Sequence, residues 1–257
     1  VLARHAVPVD LSVPGGATNA YVLGDGDRLL VDPAGRTPAL DDAAASVEHV
    51  AVTHTHPDHV GAVADYAAET DATVWAHAAY SERFADATGV EPDRLFRAGD
   101  TIADTGVTVM ATPGHAPDHV AFVADGEAVT GDLVFADGSV FVGTPDGDVR
   151  TYLGSLRRLL ARGFDAIHPG HGNSITAPTE RIRETYFHRR DRERRVRAAV
   201  EDGAETVEEI LDAAYEKALG DARGLAAKVV RAHLRKLAVE GHVQWDGERA
   251  RPAVVRQ

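Results

Sequence analysis

Short apolar runs, each bounded by Gly, Asp or Pro, dominate the first two-thirds of the chain. NAYVLGDGDRLLVD (19–32) sets two such runs around a Gly/Asp turn and predicts a β-hairpin. VEHVAVT (47–53) predicts a buried strand that runs into a histidine-rich segment. DHVGAVADYAAET (58–70) switches to helical spacing, with Val60, Val63 and Ala67 on one side. ATVWA (72–76) and VTVMATPGH (107–115) predict further strands. HVAFVADGEAVTGD (119–132) predicts a second hairpin around Asp-Gly. VRTYLGSLRRLLARG (149–163) reads as an amphipathic helix stopped by Gly163, and FDAIHPGHG (164–172) as a short strand ending in a loop.

From about Thr179 the pattern is almost entirely helical. TVEEILDAAYEKAL (206–219) predicts a helix capped by Thr206, with Glu209 closing a capping box. ARGLAAKVVRAHLRKLAVEG (222–241) spaces Leu225, Val229, Leu234 and Leu237 along one helical face. HVQWDGERARPAVV (242–255) predicts a final hairpin, so the order is helix, helix, hairpin.

Composition narrows the chemistry. The 257 residues are 44% hydrophobic, and no apolar run reaches the ~18 residues of a membrane span. The opening VLARHAVPVD has no long apolar stretch of the signal-peptide kind, so a cytoplasmic protein is expected, with no membrane partner. The absence of cysteine excludes disulfides, thiolate ligands and a cysteine nucleophile. A metal would have to be held by His and carboxylate. The net charge of −13, with only Lys217, Lys228 and Lys236 as lysines, matches an acidic surface adapted to high salt. Net charge then reports habitat more than substrate.

Three of the 13 histidines fall within VTHTHPDHVGA (52–62), as His54, His56 and His59 around Asp58. A core would have to hydrogen-bond every ring, whereas a divalent metal uses such clustering directly. Three further motifs follow strand-like segments: TPGHAPDH with His115, TGD with Asp132, and HPGHG with His171. A glycine beside each allows close backbone approach.

These motifs, in this order, resemble the metallo-β-lactamase-fold hydrolases over roughly residues 10 to 180. The resemblance implies an α+β fold, an αββα sandwich with two metals at one edge. It implies His54, His56 and His115 on one metal, Asp58, His59 and His171 on the other, and Asp132 between them. His56, where di-iron members carry Glu, favours zinc, while manganese and iron also suit an N/O site. A hydroxide shared by the metals would be the nucleophile, with Asp58 orienting it and taking its proton. His119 completes a PGHxxxH pattern, as a proton donor to the leaving group or a support. Asp32 is expected to orient a ligand histidine. His168 and His77 read as structural and His49 as surface.

Residues 188–215 and HLRKLAVEGHV (233–243) resemble a branch with a C-terminal winged helix, of the β-lactamase-like protein 2 type, which includes endoribonucleases acting on single-stranded RNA. The expected boundary is residues 1–178 for the metal domain and 179–257 for a linker helix and winged-helix-like domain. Residues 181–197 hold eight arginines against three acids, a stripe able to track phosphates, with Lys228, Arg231, Arg235 and Lys236 beyond it. The opposing reading pairs Asp191 with Arg195 and Glu193 with Arg197 on a solvated helix. Tyr186, Phe187 and Trp245 are the few candidates for base stacking. The first functional expectation is therefore a metal-dependent phosphodiesterase acting on single-stranded RNA. The second is a thioester hydrolase resembling hydroxyacylglutathione hydrolases, with a small ester or thioester as substrate. A third, from another class, is a metal-sensing winged-helix regulator without catalysis. β-Lactam hydrolysis is disfavoured, because a bridging aspartate typifies the other members. A homodimer is left open, and a winged helix that only walls one side of the cleft is a further alternative.

Overall fold

The computed structural model describes residues 2–215 and 219–253. Residues 216–218 of the expected helix, Lys217 among them, and Val254 and Val255 of the expected hairpin lie outside this range.

One sheet has six strands in sequential order: β1 (Leu2–Pro8), β2 (Ala17–Leu23), β3 (Leu29–Val31), β4 (His49–Ala51), β5 (Thr73–His77) and β6 (Arg94–Phe96). β1, β2 and β3 are antiparallel, and β3 to β6 run parallel. The second sheet has the order β10-β9-β8-β7, from β7 (Thr108–Ala111), β8 (Val120–Ala124), β9 (Glu127–Gly131) and β10 (Ala166–Pro169). The β8–β9 turn has positive φ at Asp125 (50°) and Gly126 (79°), the conformation that tight hairpins favour.

Strand periodicity builds the layers. Along β2, Tyr21 and Leu23 enter one core while Ala20 and Val22 enter another. β3 splits Leu29 and Val31 from Leu30 in the same way. Tyr21, Leu29 and Phe96 meet Val109, Phe122 and Val129 of the other sheet between the two layers. The outer face of the first sheet is covered by α1 (Pro38–Ala44), α2 (Pro57–Val60), α3 (Val63–Thr70) and α4 (Ser81–Thr88), through Leu40, Val63, Tyr66 and Phe84. α5 (Val149–Arg162) covers the second through Tyr152, Leu156 and Leu159. The result is the expected αββα sandwich.

The chain continues into α6 (Pro178–Glu201), α7 (Val207–Ala214), α8 (Arg223–Val239) and the hairpin β11 (Val243–Trp245) and β12 (Ala250–Pro252). Thr206 and Glu209 form the anticipated capping box. α6 joins two cores: Ile182 packs with α5, while Val196 and Val200 pack with Ile210, Leu234 and Leu237. Ala232 of α8 also reaches the α5 core. No helix of the described residues is long and apolar enough to cross a membrane.

Several expectations are corrected. The helix expected over 58–70 is two helices, α2 and α3, because Gly61 approaches the Ala34 carbonyl and the Ala62 amide donates to the Pro33 carbonyl. Leu225 is 54% exposed and does not join the apolar face of α8. His49 is buried, bonded to Asp27 and accepting from the Trp75 indole N–H. Glu193 pairs with Arg190 and Lys236, not Arg197, which pairs with Glu201. Lys236 is buried between Glu193 and Glu240 and presents no charge to solvent.

Candidate metal centre

The candidate ligands all follow C-terminal strand ends at one edge of the sandwich. β4 leads to His54, His56, Asp58 and His59; β7 leads to His115; β9 ends beside Asp132; β10 leads to His171. Asp32 follows β3 in the same way. Rigid strands thus deliver side chains from distant parts of the sequence to one place.

All seven sequence-predicted residues converge. His54 Nε2 lies 3.0 Å from His56 Nδ1, which lies 2.9 Å from His115 Nε2. On the other side, His171 Nε2 and His59 Nε2 lie 3.3 and 3.7 Å from Asp58 Oδ2. Asp132 stands between the groups: Oδ2 is 3.6 Å from His115 Nε2, and Oδ1 is 3.5 Å from both His59 and His171. Two three-residue sets able to hold an ion follow, His54/His56/His115 and Asp58/His59/His171, with Asp132 also grouped with His54 and His59.

The outward nitrogen of every ring meets an oxygen. His59 Nδ1–H donates to Asp32 at 2.9 Å, His115 to the Phe141 carbonyl at 2.7 Å, and His171 to the Ala17 carbonyl at 2.8 Å. His56 Nε2 lies 3.3 Å from Asp146, and His54 Nδ1 3.1 Å from the Thr53 hydroxyl. These partners can take the outer ring protons, so that each inward nitrogen offers a lone pair once its own proton is released, the tautomer a metal requires. The inward side is unsatisfied by protein alone: His59 Nε2 and Asp132 Oδ1 are buried without a hydrogen-bond partner. The residues present therefore fit a pair of divalent ions.

Electrostatics agree. Burial opposes charge on His171, but the Asp132 and Asp58 carboxylates overcome it and hold the ring at about 9. Burial also opposes charge on Asp132, yet the His171 and His59 rings, each 3.5 Å from Oδ1, hold its carboxyl well below the usual range. Burial, with His59 and His115 alongside, pushes His54 far down and keeps it neutral. Carboxylates confined among imidazoles form a concentrated cation-binding field.

Two glycines make the approach feasible. A Cβ on Gly131, where φ is 47°, would stand 2.5 Å from Thr53 Oγ1 and 2.9 Å from His119 Nε2. One on Gly170 would stand 2.5 Å from Asp132 Oδ1.

His119 is buried and fully engaged. The Asp132 amide donates to its Nε2 at 3.1 Å, and its Nδ1–H donates to Thr112 at 2.8 Å. Burial, then His115, lowers it to about 3, so it is neutral. Both ring nitrogens are thus engaged, one of them by the Asp132 backbone. His168 bonds Glu127 and Ser174, away from the centre.

Sequence reasoning missed a second arc of residues. Arg83 donates to Thr55 Oγ1 at 2.7 Å and to Asp146 at 2.6 Å, and the Thr55 amide and hydroxyl donate to buried Asp118. This arc backs His56. Asp118 lies inside the quoted TPGHAPDH, which was a usable signal; the lone Arg83 on α4 offered none.

The fold and this centre are those of a known class: the family described as the metallo-β-lactamase superfamily matches residues 13–171, and the chain belongs to it. Its members are metal-dependent hydrolases, and so is this protein. The chain is 33% identical over 195 residues to thioesterase pkgB of Emericella nidulans, covering 70% of this chain and 53% of that protein's length. It is 28% identical over 242 residues to the β-lactamase-like protein 2 homolog of Caenorhabditis elegans, covering 88% and 80%. A metallo-β-lactamase family protein from Thermus thermophilus superposes with a TM-score of 0.77 at 25% identity, over 98% of each chain.

Proposed function

We propose that the protein is a dinuclear metal-dependent thioester hydrolase. His54, His56 and His115 would hold one ion and Asp58, His59 and His171 the other, with the Asp132 carboxylate standing between the two sets, and zinc is the ion these nitrogen-rich sets would suit. Divalent ions held there would supply a water of near-neutral pKa and Lewis-acid polarisation of the acyl oxygen. The remaining work belongs to the chain. Asp58 is ionised, since burial is outweighed by its bond to His171. Its carboxylate takes the proton that a water sheds as the acyl carbon is attacked. Asp32 and Thr53 hold His59 and His54 in register. His119 fixes the Asp132 backbone, and Arg83 with Asp146 fixes His56.

The observation that favours a thioester over RNA is the state of the arginine stripe. Within residues 181–197, Arg189 is buried, and Arg181, Arg190, Arg194, Arg195 and Arg197 are paired with acids of the same helix. Five of the eight arginines thus share four acids and one is buried, so that, among the described residues, Arg183 and Arg192 alone of the stripe are left without an acid partner for phosphates. We read residues 179–257 as a module that walls the cleft rather than a nucleic-acid reader. The thioesterase among the relatives supports this reading. The test offers metal-loaded protein an acyl thioester, unstructured RNA and bis-p-nitrophenyl phosphate side by side, with Asp58→Ala as control. Thioester turnover, lost with chelator and in the control, is expected; cleavage of RNA alone would move the protein to the nuclease class.

A further inference from the structure

The connection from Asp132, after β9, to Asp148, before α5, runs past both ligand sets. The Phe135 ring stands edge-on to the His171 ring, with 5.5 Å between centroids and 78° between planes. The Phe141 carbonyl accepts the His115 Nδ1–H at 2.7 Å, and the Asp146 carboxylate lies 3.3 Å from His56 Nε2. Residues 132–148 form no helix or strand, so other segments must hold their backbone. The ends are tied close by: the Tyr152 hydroxyl donates to the Leu133 carbonyl at 2.7 Å, and the Asp148 amide to the Gly114 carbonyl at 2.8 Å.

The middle is held by α6 and α8. Arg181 Nε donates to the Phe135 carbonyl at 2.7 Å, and its Nη2 donates to the Gly138 carbonyl. Arg189 Nη2 donates to the Val140 carbonyl at 2.7 Å, one residue before the carbonyl that holds His115. The two arginines are eight residues apart and leave the same side of α6. The Lys228 carbonyl of α8 accepts the Thr144 amide at 3.2 Å. Arg189 is a costly residue for this place. It is buried, its guanidinium lies 5.4 Å from the centre of the Tyr152 ring, and its Nε and Nη1 have no hydrogen-bond partner. Among the described residues no carboxylate pairs with it, and burial works against its charge. A buried cation without a counter-charge destabilises a fold, and an apolar side chain of similar volume would sit there at less cost. Local rules broken in this way gather at functional sites.

We propose that Arg189 and Arg181 are positioning residues of the metal centre. Arg189 sets the Phe141 carbonyl and through it the His115 ring; Arg181 sets Phe135 and through it the His171 ring. Neither touches an ion, a substrate or a reacting atom. The arginine-rich helix thereby serves the ligand sets from behind the 132–148 connection. This brace serves the centre whether the substrate is a thioester or a phosphodiester.

The experiment compares the full chain as wild type, Arg189→Met, Arg189→Lys, Arg181→Met and the control Arg194→Met, whose residue is exposed and pairs with Asp191 on its own helix. Two readouts need no turnover. Competition with a chromogenic chelator gives zinc affinity, and cadmium NMR of the loaded protein gives one signal per ion and separates a three-histidine set from one that includes a carboxylate. Arg189→Met should weaken the His54/His56/His115 set by about tenfold or more and shift its cadmium signal, with the Asp58/His59/His171 signal in place. Arg181→Met should act mainly on the second set. Arg189→Lys keeps a cationic donor near the Val140 carbonyl and should recover part of the affinity, and Arg194→Met should match wild type. Because Arg189→Met removes a buried cation, Tm of the metal-free protein should hold or rise while metal affinity falls, a divergence that a merely structural role would not produce. If Arg189→Met does not fold, Arg181→Met, at a partly exposed position, carries the test. Wild-type affinity and signals in either folded Met variant, or equal loss at both sets in step with a fall in Tm, would overturn the proposal. Absence of thioester turnover would overturn the functional reading and leave this brace standing.

Discussion

His59 Nδ1 donates to Asp32 Oδ2 at 2.9 Å, with both side chains fully out of solvent. The same carboxylate accepts the Thr53 amide at 2.6 Å and the Thr53 hydroxyl at 2.7 Å, and that hydroxyl in turn accepts from His54. One aspartate therefore orients a histidine in each metal group. Its φ of 54° lies in the left-handed region, which Asp and Asn tolerate better than most residues.

Asp32→Asn keeps that backbone preference but puts an amide donor where three donors already converge. Metal affinity should fall by about 10- to 100-fold at both positions. Competition with a chromogenic chelator measures this directly; unchanged affinity would remove Asp32 from the design.

Asp132→Ala removes the carboxylate between the two groups. Metal content by mass spectrometry should drop from two equivalents to one or fewer, with loss of turnover. His168→Ala, altering a residue bonded to Glu127 and Ser174, should keep both equivalents. If the two variants behaved alike, the ligand assignment would be wrong.

His119→Phe leaves the buried Asp132 amide without its acceptor, a loss of about 1–3 kcal/mol of stability. His119→Gln offers an acceptor oxygen and should recover much of it. Thermal unfolding of the metal-free proteins separates the two. A role as proton donor would instead predict that Gln and Phe cost turnover equally while leaving Tm in place.

Gly170→Ala would drive a methyl to within 2.5 Å of Asp132 Oδ1 and 2.7 Å of the His59 ring. Overpacking of this kind costs about 1–3 kcal/mol. The variant should fold less stably and bind metal more weakly, whereas Gly163→Ala, at a position with open space, should leave metal binding alone.

The convergence of the seven candidate residues was legible because His54, His56, Asp58 and His59 fall within six positions and the other three each sit in a short glycine-bearing loop after a strand. The sheets were legible from period-2 burial, as at Tyr21 and Leu23 against Ala20 and Val22. The supports were not. Arg83 reaches Asp146 across 63 positions, and nothing near either residue signals the pairing. His49 opens a three-residue strand, too short for alternation to reveal that its ring turns inward onto Trp75. The arginine stripe marks a related limit: composition counts charges, whereas burial of Arg189 and the pairing of its neighbours decide which remain available.

The proposed two-ion centre hydrolyses thioesters. Its most direct test is acyl-thioester turnover followed while metal-free protein is titrated with zinc. No turnover is expected at the start, followed by a rise that saturates at two equivalents. Full activity without metal, or binding of two equivalents with no thioester turnover at any point, would contradict it.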